Sequence, residues 1–376
     1  MKKQVLLSKV RPHGGGKAGG AVSRKMPENH MIRQNTFENQ YLLSPDIMSA
    51  IKKLSESTYT FLALIDHTLD DIESLCHLDN GHDRRVPCYG LGPLENVPLE
   101  ILQMILLRLD IRSMTEFRRV NRRARLAVDH IPQYKQIVLH APASIRGCLS
   151  LRSGFSFSCQ DLYDKLRTAE CDSCGDFGGY LYLVTCRRVC FLCFTEKADY
   201  LPLLRSDVIR KFGLRSEHLA KIPSFKSVPG RYSSRGIKCH RRLTLFDHSA
   251  AREAGIFVHG DSNSMKQYAS ESLAKRIEIH QSRNARSTHG VKPPRLPRSE
   301  ESFDGFSSNP IRFMGIIRAP VLDTRTAIPQ WGFHCTACKP HHYGRPLHWR
   351  RKFTKDSYRN HIRECGEIID GKHKHE

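Results

Sequence analysis

Residues 93–134 read PLENVPLEILQMILLRLDIRSMTEFRRVNRRARLAVDHIPQY, and this stretch decides the fold of the chain. Its apolar residues recur every three or four positions, which predicts amphipathic helices. Pro98 suits the first turn of a helix, because a missing N–H costs little there. After Asp110, the Ser113-x-x-Glu116 pattern is typical of a capping box and predicts the start of a second helix. The stretch therefore predicts two short helices separated by a tight break.

The same stretch resembles an F-box. The family's loose pattern is matched in four places: VPLEIL at 97–102, with valine where leucine is usual, LD at 109–110, SM at 113–114 and FRRVNR at 117–122. The resemblance implies that residues 88–135 form a helical bundle that docks on the adaptor of an SCF-type ubiquitin ligase. It assigns eight residues to the adaptor contact or its support: Leu94, Pro98, Leu99, Ile101, Leu102, Ile105, Leu109 and Met114. The alternative interpretation is an ordinary helical pair within a larger core.

The composition of the chain favours acidic partners. Its 376 residues include 60 lysines and arginines against 38 aspartates and glutamates, a formal net charge of +22. Such a surplus attracts nucleic acid or acidic proteins and does not choose between them. Hydrophobic residues make up only 39% of the chain, below the average for globular proteins, so we expect ordered modules separated by disordered segments.

The sequence gives no sign of a membrane or secretory segment. No apolar run reaches the ~18 residues that a membrane span requires, and no secretory signal opens the chain. We therefore expect a protein of the nucleus or cytoplasm with no membrane contact. In such a reducing compartment, clustered cysteines are more often metal ligands than disulfides, and the chain has 13 cysteines.

The first cysteine cluster lies within residues 171–194. Its two Cys-x-x-Cys pairs, fifteen residues apart, are Cys171/Cys174 and Cys190/Cys193. Each such turn can present two thiolates to one tetrahedral zinc ion, and the intervening GYLYLVT has the composition of a strand. The spacing therefore predicts a small zinc ribbon with these four ligands. Cys186 is a fifth cysteine, so either one thiol is spare or the ligand set shifts; a RING domain, which needs eight ligands, does not fit.

A second metal pattern lies in the C-terminal part, and its four predicted ligands are Cys335, Cys338, His361 and Cys365. The histidine and the last cysteine stand one helical turn apart and share a helix face. The arrangement is similar to a C2H2-type zinc finger with cysteine in the last place. It departs from that family in one respect: 22 residues separate the second cysteine from the histidine, against about 12 in the family pattern. Three further histidines could also ligate: His341, His342 and His348.

Basic and aromatic residues alternate around this second pattern. Arg350, Arg351 and Lys352 stand between Trp349 and Phe353, an arrangement that suits phosphate contacts and base stacking, and equally an acidic peptide. The sequence therefore allows non-specific nucleic-acid binding through these side chains. A single finger covers only about three base pairs, so no base preference is expected.

The cysteine region extends the F-box resemblance. A helix leads into CDSCGDFGGYLYL at 171–183, followed by CRRVCFLCF at 186–194 and VPGRY at 228–232. This order is similar to the region that follows the F-box in a group of fungal F-box proteins. The similarity reaches to about residue 280 and implies an architecture, not a ligand.

Together these patterns predict a mainly α protein: a short F-box helical bundle, small zinc-stabilised β and knuckle modules, and disordered basic termini and linker. The predicted segments are a disordered basic tail at 1–43, a helical segment at 44–87, the F-box at 88–135, a helical region at 136–280 with the zinc-ribbon-like insert at 171–194, a flexible linker at 281–328, and a basic C2HC-like zinc module at 329–376.

No catalytic role is predicted. The sequence contains no nucleophile elbow, no His-Glu-x-x-His and no phosphate loop. The resemblance implies a substrate-receptor subunit of an SCF-type ubiquitin ligase, whose partners are the adaptor, the cullin scaffold and an unidentified protein substrate. Two structural zinc ions are the expected cofactors. A zinc-dependent nucleic-acid-binding protein is the alternative.

Overall fold

The computed structural model describes residues 59–60, 64–72, 86–285, 306–323, 328–339, 345 and 347–374. Twelve α-helices and fourteen short strands lie in these residues, so the fold is mainly α, as the sequence predicts. The predicted tail at 1–43 and the two histidines at 341 and 342 lie outside them. Within the described residues, no helix is both long enough and apolar enough to cross a membrane.

Strand β1 (Tyr59–Thr60) precedes six helices: α1 (Leu99–Arg108), α2 (Ile111–Val120), α3 (Arg122–Asp129), α4 (Pro132–His140), α5 (Pro142–Leu151) and α6 (Cys159–Arg167). Their buried faces carry apolar residues at helical spacing, such as Ile111 and Met114 on α2. Proline begins α4 and α5, where its fixed φ suits the first turn.

Asp110, and not Ser113, caps α2. Its carboxylate accepts hydrogen bonds from the backbone N–H groups of Arg112 (3.0 Å) and Ser113 (2.9 Å), and the Ser113 hydroxyl also donates to it (2.7 Å). A carboxylate is both a strong N-cap acceptor and favourable near the positive helix end. The predicted capping box of Ser113 and Glu116 is therefore wrong, and Glu116 pairs with Arg112 instead.

The predicted second helix is divided at Asn121 into α2 and α3. Asn121 has an extended backbone (φ −159°, ψ 179°), and its side-chain oxygen accepts a hydrogen bond from the N–H of Ala124 (2.8 Å). Asparagine side chains compete for backbone groups in this way and favour the start of a new helix. The bundle thus has three helices where the sequence predicted two.

Beyond α6 the chain alternates short strands and helices. They are β2 (Tyr180–Tyr182), β3 (Arg187–Val189), α7 (Phe191–Glu196), β4 (Leu203–Leu204), α8 (Arg205–Phe212), β5 (Ser224–Lys226), β6 (Gly230–Tyr232), β7 (Ile237–Cys239), β8 (Thr244–Phe246), α9 (His248–His259), α10 (Ser262–Ala285), α11 (Pro310–Phe313), β9 (Ile316–Arg318), β10 (Val321–Leu322), β11 (Pro329–Gln330), β12 (His334–Cys335), α12 (Lys355–Cys365), β13 (Ile368–Ile369) and β14 (Lys372–His373). The strands pair antiparallel in two three-stranded sheets, β3-β2-β9 and β4-β8-β5, and in the pairs β1-β12, β6-β7, β10-β11 and β13-β14.

The prediction of a flexible linker at 281–328 is wrong for residues 306–323, because these residues form part of the core. Strand β9 pairs antiparallel with β2 of the cysteine region, and Phe313, Ile316 and Ile317 are completely buried. The start of the predicted linker is also ordered, since α10 runs to residue 285. These apolar side chains find their partners only across a large sequence separation, which a local composition does not reveal.

The predicted helical segment at 44–87 is not α-helical where the structure describes it. Strand β1 pairs antiparallel with β12, and Leu69–Asp71 makes only a 3-10 turn. The carboxylates of Asp70 and Asp71 both bind the guanidinium of Arg318 on β9. These contacts with a distant strand override the helical periodicity of the local sequence.

One hydrophobic core is shared by the helical bundle and the cysteine region; its members include Leu102 and Met114 of the bundle, Leu181 of β2 and Ile317 of β9. A smaller core around Phe212 lies among α8, α9 and their neighbouring strands. A third core joins three aromatic residues of the C-terminal module, Phe333, Phe353 and Tyr358. The bundle and the cysteine region are therefore packed as one body.

A buried arginine joins three separate parts of the chain. Arg188 on β3 is completely buried. Its guanidinium donates to five backbone carbonyls, those of Lys165 (3.1 Å), Leu166 (3.3 Å), Gly178 (2.5 Å), Ala319 (3.3 Å) and Pro320 (2.7 Å). Burial lowers the pKa of Arg188 to about 10, so the side chain stays charged at neutral pH. Arg188 thus ties the end of α6 and the following turn to the segment between β9 and β10.

We expect Arg188→Ala to lower the free energy of unfolding by more than about 3 kcal/mol, because each buried carbonyl left without a donor costs about 1–3 kcal/mol. Urea unfolding followed by circular dichroism measures the change. The neighbouring Arg187 is only half-buried, so Arg187→Ala serves as the matched control and should cost less than about 1 kcal/mol. Equal losses in the two variants would contradict this role for Arg188.

Candidate metal centres and an exposed helical face

The first cysteine cluster is built from a turn and a helix end. Cys171 and Cys174 lie in the turn after α6, where the N–H of Gly175 (φ +78°) donates to the carbonyl of Cys171 (3.0 Å). Glycine suits this left-handed position because it has no Cβ. Cys190 caps α7, and its sulfur accepts a hydrogen bond from the N–H of Cys193 (3.4 Å). The hairpin β2-β3 brings the two halves together.

The four sulfurs lie close enough together to bind one metal ion. The ligand atoms of Cys171, Cys174, Cys190 and Cys193 all lie within 4.8 Å of one another, and the sulfurs of Cys174 and Cys190 are 3.6 Å apart. Tetrahedral zinc–thiolate bonds of about 2.3 Å imply sulfur separations of about 3.8 Å. Hydrogen bonds from Cys190 and Cys193 hold the pKa of Cys171 far below its usual range, which favours the metal-binding thiolate. The donor set fits a metal ion.

Cys186 lies outside this cluster. It occupies the turn between β2 and β3 with a positive φ of 51°, and it is buried away from the four sulfurs. Burial raises the pKa of Cys186 to about 12. Because the cluster is made of the other four sulfurs, Cys186 is the spare cysteine of the five.

The second cluster consists of Cys335, Cys338, His361 and His373, whose ligand atoms also lie within 4.8 Å of one another. The Nε2 atom of His373 is 3.3 Å from the sulfur of Cys335 and 3.4 Å from that of Cys338, and the Nε2 atom of His361 is 3.3 Å from Cys338. Tetrahedral zinc with sulfur and nitrogen ligands implies separations of about 3.6 Å. All four residues are buried, and this donor set too fits a metal ion.

The fourth residue of this cluster differs from the sequence prediction: it is His373, not Cys365. The sulfur of Cys365 lies 3.5 Å from Nδ1 of His361, the ring nitrogen opposite the one that faces the cluster. Nδ1 of His373 contacts the carbonyl of Gly366 (2.9 Å), which orients Nε2 toward the other ligands. His348 does not belong to the cluster either.

A local signal for His373 was present in the sequence. The hairpin β13-β14 returns the chain to the cluster, and its turn contains Asp370 (φ +51°) and Gly371 (φ +73°). Asp-Gly between two short apolar or β-prone runs is a strong hairpin signal. The sequence instead predicts Cys365 as the fourth ligand, because His361 and Cys365 stand one helical turn apart.

Three basic residues that the sequence offered for nucleic-acid contacts, Arg350, Arg351 and Lys352, contact the protein itself, and non-specific nucleic-acid binding by the module stays a prediction. Arg350 is buried, binds both carboxylate oxygens of Asp66 (2.5 and 2.7 Å) and lies 3.7 Å above the ring of Phe191. Arg351 pairs with Asp176 (2.8 Å). Lys352 donates to the carbonyl of Trp331 (3.1 Å), and removal from water lowers the pKa of Lys352 to about 8. Arg350 and Arg351 thus join the module to the cysteine region.

Helix α1 exposes an apolar face. Among the predicted adaptor-binding residues, five are exposed, Leu94, Pro98, Leu99, Ile101 and Ile105, and Leu109 is half-buried. Leu102 and Met114 are buried in the main core and can only support this surface from behind. Met104, which the prediction did not include, is 63% exposed and belongs to the same helix.

Comparison with known families identifies this helical bundle. Residues 94–136 match the F-box domain family. This stretch is an F-box domain. It begins before α1 and ends within α4, so the F-box resemblance is confirmed, whereas the similarity of the cysteine region to fungal F-box proteins stays a prediction. F-box domains bind the adaptors of SCF complexes, and the proteins that carry them are generally non-catalytic subunits. No curated protein and no solved structure matches the chain.

Metal content distinguishes the two candidates for the fourth ligand. The purified full chain should carry two metal ions, one for each cluster. We expect His373→Ala to release one ion, because three ligands hold a structural metal much less tightly than four. Cys365→Ala should retain both ions and is the matched control. Elemental analysis by mass spectrometry gives the count, and the opposite pattern would restore Cys365 as the ligand.

A parallel pair of variants tests the first cluster. Cys174→Ser should release one ion and loosen residues around the turn after α6, because metal binding supplies folding free energy to such small modules. Cys186→Ser removes a thiol outside the cluster, so it should leave the metal content unchanged. Loss of metal from Cys186→Ser alone would show that the ligand set differs from the one described.

Proposed function

We propose that this protein is the substrate-receptor subunit of an SCF-type ubiquitin ligase and has no catalytic activity of its own. The observation that carries the proposal is the F-box domain at residues 94–136, whose first helix presents an apolar face to solvent. In this role α1 contacts the adaptor, the adaptor joins the cullin scaffold, and the remainder of the chain binds a protein substrate.

The exposed face of α1 supports adaptor docking. Ile101, Met104 and Ile105 are 46%, 63% and 47% exposed and lie within about 100° of one another around this ten-residue helix. Contiguous apolar patches on soluble proteins mark interaction sites. A helix that lays such a face into a partner's groove is a common mode of recognition.

The packing of the F-box supports the receptor role as well. Leu102 of α1 and Leu181 and Ile317 of the cysteine region belong to one core, so the F-box has no free linker to the region that follows it. The C-terminal module is in turn docked on the cysteine region through Arg350 and Arg351. A substrate bound anywhere on this body is held at a fixed position relative to the adaptor.

We further propose that both clusters hold zinc in a structural role. Sulfur and imidazole donors in groups of four are the usual ligands of tetrahedral zinc, and a fully protein-bound ion has no open position for a reacting water. The Cys171 cluster would fix short elements at the edge of the main core, and the Cys335 cluster would fix those of the small C-terminal core. Thiolate ligands persist in reducing compartments, so we place the protein in the nucleus or cytoplasm.

The double substitution Ile101→Asp and Ile105→Asp should weaken binding to the purified SCF adaptor by at least about thirtyfold, because it places charges at the centre of an apolar contact. Both side chains are about half exposed, so the fold should survive. Leu102 is unsuitable for this test, since it is buried and its replacement would unfold the bundle.

Isothermal titration calorimetry measures the affinity, and circular dichroism checks the fold. Leu139 on α4 is 62% exposed and lies beyond the matched F-box residues, so Leu139→Asp is the control and should leave adaptor affinity unchanged. Adaptor binding that survives the double substitution in a folded chain would refute the proposal.

A further inference from the structure

The chain between α8 and α9 carries a concentrated positive charge. Residues 218–246 contain seven lysines and arginines and no aspartate or glutamate. All seven are exposed, and we call this set of side chains the basic surface: Lys221, Lys226, Arg231, Arg235, Lys238, Arg241 and Arg242. None of them forms an ion pair with a carboxylate in the part of the chain that the structure describes.

The hairpin β6-β7 sets two of these cations directly against each other. Arg231 lies opposite Lys238 in the antiparallel register. Like charges at directly opposed positions destabilise a strand pair. Between the strands, the turn adds Arg235, while Tyr232 on the opposite face of the ribbon is buried. The solvent face of the ribbon therefore holds two opposed cations, which repel each other. The only large aromatic side chain of the ribbon is buried in the core.

The positive charge continues toward the F-box. Arg242 donates to the carbonyl of Ser150 at the end of α5 (3.3 Å). Two residues later Arg152 lines a cavity of about 380 Å³ together with Arg112 and Arg119 of the F-box helix α2; Glu116 is the one acidic residue in its lining. The basic surface and this cavity thus form neighbouring parts of one cationic region.

We propose that the basic surface binds an acidic segment of a protein, rich in aspartate and glutamate. This inference deepens the proposed function, on which it rests, because it gives the chemical class of the substrate segment. Carboxylates opposite Arg231 and Lys238 would relieve the repulsion between these two cations. The three aromatic residues within 218–246, Phe225, Tyr232 and Phe246, are buried and offer no platform on which bases could stack, which disfavours nucleic acid.

The decisive variant is Arg231→Glu, which places opposite charges in the Arg231–Lys238 pair. We expect it to keep or raise the melting temperature, because the cross-strand repulsion becomes an attraction. We also expect it to weaken binding of a fluorescein-labelled oligoglutamate peptide by about tenfold at physiological salt, because one attraction becomes a repulsion. Binding is measured with the full chain by fluorescence anisotropy. Arg235→Glu in the turn provides a second variant should the first fail to fold.

Lys266→Glu on α10 is the matched control, because Lys266 is exposed and the net charge changes by the same amount. The proposal predicts a larger loss of peptide affinity for Arg231→Glu than for Lys266→Glu. It is overturned if wild-type protein does not bind the peptide, or if the two variants lose affinity equally, since binding would then follow net charge alone. It is also overturned in favour of nucleic acid if Arg231→Glu weakens binding of a random-sequence DNA duplex more than binding of the peptide.

Adaptor binding is measured on the same preparations. It depends on α1, so it should be the same for wild-type protein, Arg231→Glu and Lys266→Glu. Failure of wild-type protein to bind the adaptor would refute the receptor role. If adaptor binding is intact but Arg231→Glu does not change peptide affinity, only the acidic-segment inference is refuted.

Discussion

A single buried guanidinium constrains how the chain can fold. Arg188 donates to carbonyls at the end of α6, in the turn that holds Cys171 and Cys174, and in the segment after β9. A buried charge of this kind is tolerated only when its hydrogen-bonding capacity is used. The residues near the cysteine turn therefore do not supply all the acceptors that Arg188 needs. The remaining acceptors follow β9, which lies far along the chain and leads to the C-terminal module.

Other cations repeat this use of positive charge inside the protein. Arg312 is buried and donates to the carbonyls of Phe194 (2.9 Å) and Lys197 (2.6 Å) at the end of α7. Arg350 meets Asp66, whose carboxylate also accepts a hydrogen bond from the hydroxyl of Tyr180 (2.6 Å). A net charge of +22 thus has two different origins. Some arginines hold segments together, and others, such as those of β6-β7, face solvent, a division that composition alone does not show.

The sequence predicted what depends on local spacing. The helices of the F-box and the three Cys-x-x-Cys pairs follow from residues close together in the chain, and the structure contains them. Two predictions failed on local detail: Asp110 caps α2, and Asn121 divides the second predicted helix. The larger failures concern distant partners: Asp70 and Asp71 bind Arg318, the segment at 306–323 completes a sheet with β2, and His373 takes the place expected for Cys365. In these larger cases the fold itself brings the interacting segments together.

The pairing of β2 with β9 has a consequence for how the protein is made. Arg188 and Ala319 are 131 residues apart, so at typical elongation rates the ribosome needs about 7–26 s between the two. The F-box helices, whose contacts are local, can form during that interval, whereas one edge of β2 stays open until β9 emerges. An unpaired edge beside four cysteines is vulnerable to misassociation. For that interval the nascent chain carries an open strand edge beside four thiols, and only the arrival of β9 closes it.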